Sequence, residues 1–272
     1  MQGTYRAAAR TPAEPMSAAT IRVETVFGPM VAYPDDLITR HLLDFGAHTR
    51  PELAFLSRVV RAGDRVFDLG AHIGTFTVPL AQRVGPAGRV VAVEAVPRTF
   101  DLLRENVALN GVADRVETLC ALVAPHARYD PVGVDGNTGA TYFAPVEAAR
   151  TGEALGIDAL VARTVEPDVI KLDLEGFEAW ALTTSETVAR RRPVLYAEIF
   201  RAQLARAGGT LAELDALFHA LDYRLFRNVG ARNAAHDAFE VAELDALERG
   251  GETFDVLAIP RGDARIVALL EP

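Results

Sequence analysis

Short apolar runs alternate along this chain with longer amphipathic stretches, the pattern of doubly buried strands joined by crossover helices. Residues 65–69, RVFDL, form the first such run, with Asp68 near its carboxyl end. Gly70 and Gly74 then bracket a tight turn into a helix beginning near Thr75 and ending towards Gly85. A second strand follows at 89–94, RVVAVE, and a second helix at 97–109 with Leu102, Leu103 and Val107 on its inner face. With a third strand at 116–122, the pattern is βαβαβ, for which a right-handed parallel arrangement is expected. Further strands are read at 168–174, 192–199, 223–226 and 254–259, and a helix at 211–221. The polar stretch 228–251 is read as a loop with a short helix at 244–248. Two closing strands permit one antiparallel member.

The flanking segments divide the chain. Residues 1–19, rich in Ala, Pro, Thr and Ser, are read as a flexible arm that allows a short helix at 5–9. Residues 20–62 hold a hairpin, with Gly28 and Pro29 at its turn, and a helix at 51–60. The main domain then occupies 63–272, interrupted at 123–165 by a turn-rich insertion placed for a substrate lid. LLDFGAH at 42–48 echoes VFDLGAH at 66–72, but Arg50 stands where Gly74 does in the second copy. The echo is read as coincidence.

Composition narrows the function. At 272 residues and 50% hydrophobic content the chain can bury a full core. A formal charge of −9 opposes non-specific attraction to nucleic acid or anionic lipid. The one cysteine, Cys120, excludes an intrachain disulfide and a cysteine metal cluster, and its apolar run suggests a buried thiol. No run has the length of a membrane span and no secretory pattern opens the chain, so a cytoplasmic location is expected.

Three stretches carry candidate chemistry. The turn after the first strand reads GAHIG and lacks the middle glycine of the dinucleotide fingerprint, which points away from a nicotinamide cofactor. Glycine lets backbone approach a ligand, and the following helix start is expected to offer free N–H groups. Glu94 ends the second strand, where an acid accepts hydrogen bonds from two ribose hydroxyls. In IKLDLEGFEAWAL, Lys171, Asp173 and Glu175 crowd a strand end, with Lys171, the only lysine in the chain, and Asp173 on one side by alternation. Lys171 paired to a carboxylate is the structural reading of that cluster, and Trp180 is read as core. Glu198 ends the next strand.

FDLGAHIGTFT, VVAVEAVPRTFDLLRENVALNG and IKLDLEGFEAWAL, in this order and spacing, resemble the FkbM-type branch of the class I methyltransferases. The resemblance implies an α/β Rossmann-like fold with a mostly parallel seven-stranded sheet whose last strand is antiparallel. It implies S-adenosyl-L-methionine as cofactor and O-methylation of a sugar or natural-product hydroxyl. The alternatives are an RNA or protein methyltransferase, or a non-catalytic nucleoside-binding protein. By the same resemblance Asp68, Gly70, Ala71, Gly74, Glu94 and Ala95 face the cofactor, while Asn137, Gly139, Lys171 and Glu175 face the acceptor. His72 stands where asparagine is frequent. Asp173 is the first candidate for the acceptor proton, with Glu198 and His72 behind it. A divalent ion held by Asp173 and Glu198 is a variant of that chemistry.

Overall fold

The computed structural model describes residues 19–147 and 152–271. The arm expected at 1–19 and its helix at 5–9 lie, but for residue 19, outside the described residues. The chain opens with the antiparallel pair β1 (Ile21–Thr25) and β2 (Gly28–Ala32), followed by α1 (Leu37–Phe45) and α2 (Arg50–Val59). The core then runs β3 (Arg65–Leu69), α3 (Thr77–Val84), β4 (Arg89–Glu94), α4 (Pro97–Leu109) and β5 (Val116–Leu122). Next come a hairpin of β6 (Tyr129–Val134) and β7 (Asn137–Pro145), the short β8 (Glu153–Ala154) and α5 (Ile157–Arg163). The second half holds β9 (Val169–Leu172), α6 (Glu178–Thr183), α7 (Glu186–Arg191), β10 (Val194–Phe200), α8 (Arg201–Arg206) and α9 (Leu211–Ala220). It closes with β11 (Tyr223–Asn228), β12 (Val241–Leu244), β13 (Thr253–Pro260) and α10 (Arg265–Leu270).

Among the described residues the main sheet has nine strands in the order β12-β11-β13-β10-β9-β3-β4-β5-β8. Its seven inner strands carry the expected fold: β5, β4, β3, β9 and β10 run parallel, and β13 is inserted antiparallel to both β10 and β11. Alternation splits the core. Phe67, Leu69, Ile170 and Leu172 pack on one face with α5, α6 and α9. Val66, Val169, Tyr196 and Leu257 pack on the other with α2, α3, α4 and α10.

Several local expectations change. The β1–β2 turn is made by Val26 and Phe27, because Gly28 already pairs with Thr25. Residues 241–244 form β12 on the edge of the sheet, and a 3-10 turn follows at Leu247–Gly250, in place of a helix at 244–248. Cys120 is exposed on β5. The LLDFGAH echo is the end of α1, capped by Gly46 in the left-handed conformation (φ 73°), so the repeated letters build a helix end in one place and a strand end in the other. The β1–β2 hairpin is fastened by Asn106, fully buried on α4, whose side chain accepts from Val31 N at 2.6 Å and donates to the carbonyls of Val31 and Ile73 at 2.9 and 2.8 Å.

Candidate active site

A cavity of about 330 Å³ opens at the carboxyl ends of the parallel strands, where such sheets present their ligands. α1 and the β6–β7 hairpin line its other side and are tied together by Asp36, the N-cap of α1, whose carboxylate accepts from Ile38 N and from Thr138 N. A Cβ on Gly139 would come within 2.7 Å of Ile38 Cδ1, the end of a flexible side chain, so this part of β7 lies close against α1. Asn137 and Gly139 both line the cavity.

Four amides of the turn after β3 are bonded within the protein. The amides of Gly70 and Ala71 both donate to Val93 O at 2.9 Å, that of His72 donates to Glu94 at 2.9 Å, and that of Gly74 donates to Ala71 O. The loop therefore uses its amides to hold β4 in place, and what it orients is the Glu94 carboxylate. One Glu94 oxygen accepts from His72 N and the other from Val96 N at 2.7 Å, while the side chain still borders the cavity. Burial raises the Glu94 pKa, and those amide bonds oppose the rise. Gly70, Ala71 and Ala95 line the cavity, whereas Asp68 and Gly74 do not. Gly74 packs behind the loop on Leu103.

Asp68 is fully buried beneath the floor, accepting from Thr77 Oγ1 at 2.6 Å and facing Lys171 Nζ at 3.2 Å. Lys171 also donates to Gly70 O at 2.8 Å, lies 3.8 Å from Asp173 and sits over the Phe76 ring at 5.3 Å. Burial alone would depress the Lys171 pKa, but Asp68 and Asp173 outweigh it and hold the ammonium above its ordinary value. Lys171 thus pairs with the buried carboxylate of Asp68 and also reaches Asp173, which borders the cavity. The side chain of Asp173 keeps 31% exposure against 5% for Lys171. Its pKa is pushed well above the usual carboxylate value, chiefly by burial and then by the charge of Glu198.

Glu198 is engaged elsewhere. It accepts from Arg232 at 2.7 Å, and the same guanidinium reaches Asp255 at 3.1 Å, the residue paired with Glu198 across β10 and β13. His72 places Nε2 2.9 Å from Thr138 Oγ1, and burial lowers its pKa to about 4. Among the described residues no group of three or more His, Cys, Asp or Glu is placed to hold a metal ion. Glu175 lines the cavity with its backbone in the left-handed region (φ 54°). Gly176 follows at φ 116°, where a Cβ would stand 2.4 Å from Gln203 O. Glu178 folds back to accept from Leu174 N and Gly176 N, and burial pushes its pKa up to about 7. Trp180 packs half-buried against the core.

Arg232, Asp255, Gln203, His41 and His48 also line the cavity and were not singled out from the sequence. Asp255 left a trace, a lone acid inside the apolar run FDVLAI, but its partner Arg232 lies in a polar loop without pattern. His41 and His48 stack with Nδ1 atoms 3.0 Å apart, and His48 belongs to the echo read as coincidence.

The profile described as Methyltransferase FkbM domain matches residues 68–225, more than half of the chain. The chain belongs to this family of methyltransferases, and its cofactor is S-adenosylmethionine. It is similar to a 23S rRNA (uracil(1939)-C(5))-methyltransferase of Klebsiella pneumoniae, 51% identical over 51 residues, which covers 19% of this chain and 11% of that protein. A catechol O-methyltransferase of Mycobacterium tuberculosis is 40% identical over 67 residues, 25% of this chain and 30% of the relative. A solved S-adenosylmethionine-dependent O-methyltransferase of Thermotoga maritima aligns at 14% identity and TM-score 0.44, covering 89% of this chain and 79% of that one. The chain thus spans a minor part of these two curated relatives.

The residues present fit the cofactor. Glu94 presents an oriented carboxylate at the cavity, a group able to accept from ribose hydroxyls. Ala95, Leu122 and Phe143 offer an apolar wall beside it. Among the described residues no helix is long and apolar enough to cross a membrane.

Proposed function

We propose that the protein transfers the methyl group of S-adenosylmethionine to a hydroxyl of a sugar or natural-product small molecule held in this cavity, and that it serves natural-product biosynthesis. The observation that carries the reading is Asp173: a carboxyl with raised proton affinity, open to the cavity at the end of β9 and braced by Lys171. A carboxyl whose proton affinity is raised above the ordinary value accepts a hydroxyl proton better than an ordinary carboxylate does. Lys171, held by Asp68 and the Gly70 carbonyl, fixes the Asp173 carboxylate without neutralising it alone. Glu198 ranks lower because Arg232 engages it, and His72 because it is a weak base. The bound cofactor supplies an activated methyl group, so the protein's part is to align the acceptor and remove its proton.

In this reading Glu94, Gly70, Ala71 and Ala95 hold the cofactor, with Asp68 and Gly74 supporting the loop from behind. Asn137, Gly139, Lys171 and Glu175 bound the acceptor space. Residues 63–272 carry the reaction, with the 123–165 insertion as its lid. The test incubates the full chain with labelled cofactor and three acceptor classes: small polyols and glycosides, RNA, and protein. Label on a small-molecule hydroxyl supports the proposal; label confined to RNA or protein would overturn it.

A further inference from the structure

We infer that the acceptor side of the cavity is built for an organic cation, so that the hydroxyl compound methylated here carries an ammonium group seated against Glu175 and Gln203. The inference deepens the hydroxyl-methylation reading and rests on it.

Charge is the first ground. Six carboxyl side chains line the cavity, Glu94, Asp173, Glu175, Glu178, Glu198 and Asp255, against two cations, Lys171 and Arg232. Both cations are already engaged. Lys171 lies between Asp68 and Asp173, and Arg232 between Glu198 and Asp255. The three histidines add no compensating charge, since burial lowers the pKa of each. Glu178 is satisfied by backbone amides. Glu175 has no ion-pair partner among the described residues, and Arg206, whose charge acts on it, is stacked over the Tyr142 ring at 4.1 Å.

Gln203 is the second, independent ground. It is 95% buried and lines the cavity, and its side chain is hydrogen-bonded to Glu175. Its Oε1 is buried and meets no donor among the described residues. A buried carbonyl oxygen left without a donor is costly, and here it stands beside the Glu175 carboxyl, which has no ion-pair partner among the described residues. An ammonium group, with three donors and one positive charge, satisfies both at once. Glu175 has its backbone in the left-handed region (φ 54°), and the following Gly176 packs against the backbone carbonyl of Gln203. Burial and the charge of Glu198 push the Glu175 pKa up to about 8, and a cation seated against it would lower that value. The carboxylates are spread around the cavity and do not converge as metal ligands.

The experiment titrates the full chain, saturated with S-adenosylhomocysteine, with matched pairs of amino sugars and amino alcohols against the same compounds bearing hydroxyl in place of the amine. The amine members are expected to bind about tenfold more tightly, as one charge-assisted contact supplies. Glu175→Gln is expected to abolish that preference, and Gln203→Met, read in parallel in case the first variant does not fold, to reduce it. No preference for the amine in the native chain would overturn the inference. So would a preference unchanged in both variants, or magnesium ion binding at Glu175 that displaces the amine. Affinity for S-adenosylhomocysteine keeps the readings apart: methylation of amine and neutral acceptors alike with intact cofactor binding sinks only this inference, whereas failure to methylate any small molecule sinks the proposed function as well.

Discussion

A Cβ on Gly70 would stand 1.9 Å from the carbonyl oxygen of Asp173. The turn after β3 and the acidic strand end of β9 are therefore in backbone contact, and Lys171 seals the junction from below by donating to the Gly70 carbonyl. Two motifs a hundred residues apart act as one floor.

Gly70→Ala tests that contact. The new methyl group meets rigid backbone at a position whose φ is 78°, so both clash and conformational strain fall on one residue. Urea unfolding is expected to register a loss of about 3 kcal/mol or more. Near-normal stability would mean that the two motifs are not in contact in solution.

Asp173→Asn retains shape and removes the charge. If Asp173 takes the acceptor proton, single-turnover methyl transfer falls by roughly 100-fold or more while cofactor affinity changes little. A retained single-turnover rate beside a lowered melting temperature would assign Asp173 to the Lys171 ion pair alone. An unchanged rate on adding EDTA would speak against the metal variant.

Glu94→Ala removes the acceptor offered to the ribose hydroxyls and also strands the amides of His72 and Val96. Cofactor binding measured by calorimetry is expected to weaken by about 1.5 to 3 kcal/mol. An unchanged dissociation constant in folded protein would reject the role.

Asn106→Ala addresses the anchoring of the β1–β2 hairpin. It deletes three buried hydrogen bonds and leaves the Val31 N–H without its acceptor, with an expected cost of about 2 to 4 kcal/mol in chemical denaturation. A shift within ordinary surface values would show that the hairpin is not coupled to the core.

Stability should fall as pH rises from about 6.5 to 8.5. The carboxyls of Glu178, Glu175 and Asp255 have pKa values raised to about 7, 8 and 8, so in this interval the folded state holds protons that the unfolded chain, titrating near 4, has released. That contribution is complete below about pH 4 and is lost as pH passes 7 to 8. His72, lowered to about 4, works oppositely and contributes nothing above its ordinary pKa near 6.5. Thermal melts across the interval check the slope, and Glu175→Gln is expected to flatten it. A melting temperature that rises with pH would contradict these shifts.

The inner sheet was legible in the chain because periodicity and glycine placement are local properties. RVFDL, RVVAVE and the crossover helices between them follow from burial pattern alone, and the spacing of Glu94 and Asp173 marks the strand ends where ligands gather. Tertiary structure decided which groups meet. Nothing local says that Gly70 touches Asp173, that Asp68 lies beneath the floor, or that Arg232 crosses from a patternless loop to join Glu198 and Asp255. The same limit explains the two copies of the FGAH-like echo: identical letters close a helix at Gly46 and leave a strand at Gly70, because helix or strand is settled by the surface each segment buries. Cys120 and the β12 edge were misread for that reason too, since an apolar neighbourhood in sequence does not say which side of a sheet another layer will cover. Local sequence sets backbone preference and strand polarity, whereas charge pairing and exposure depend on distances that only the packed chain defines.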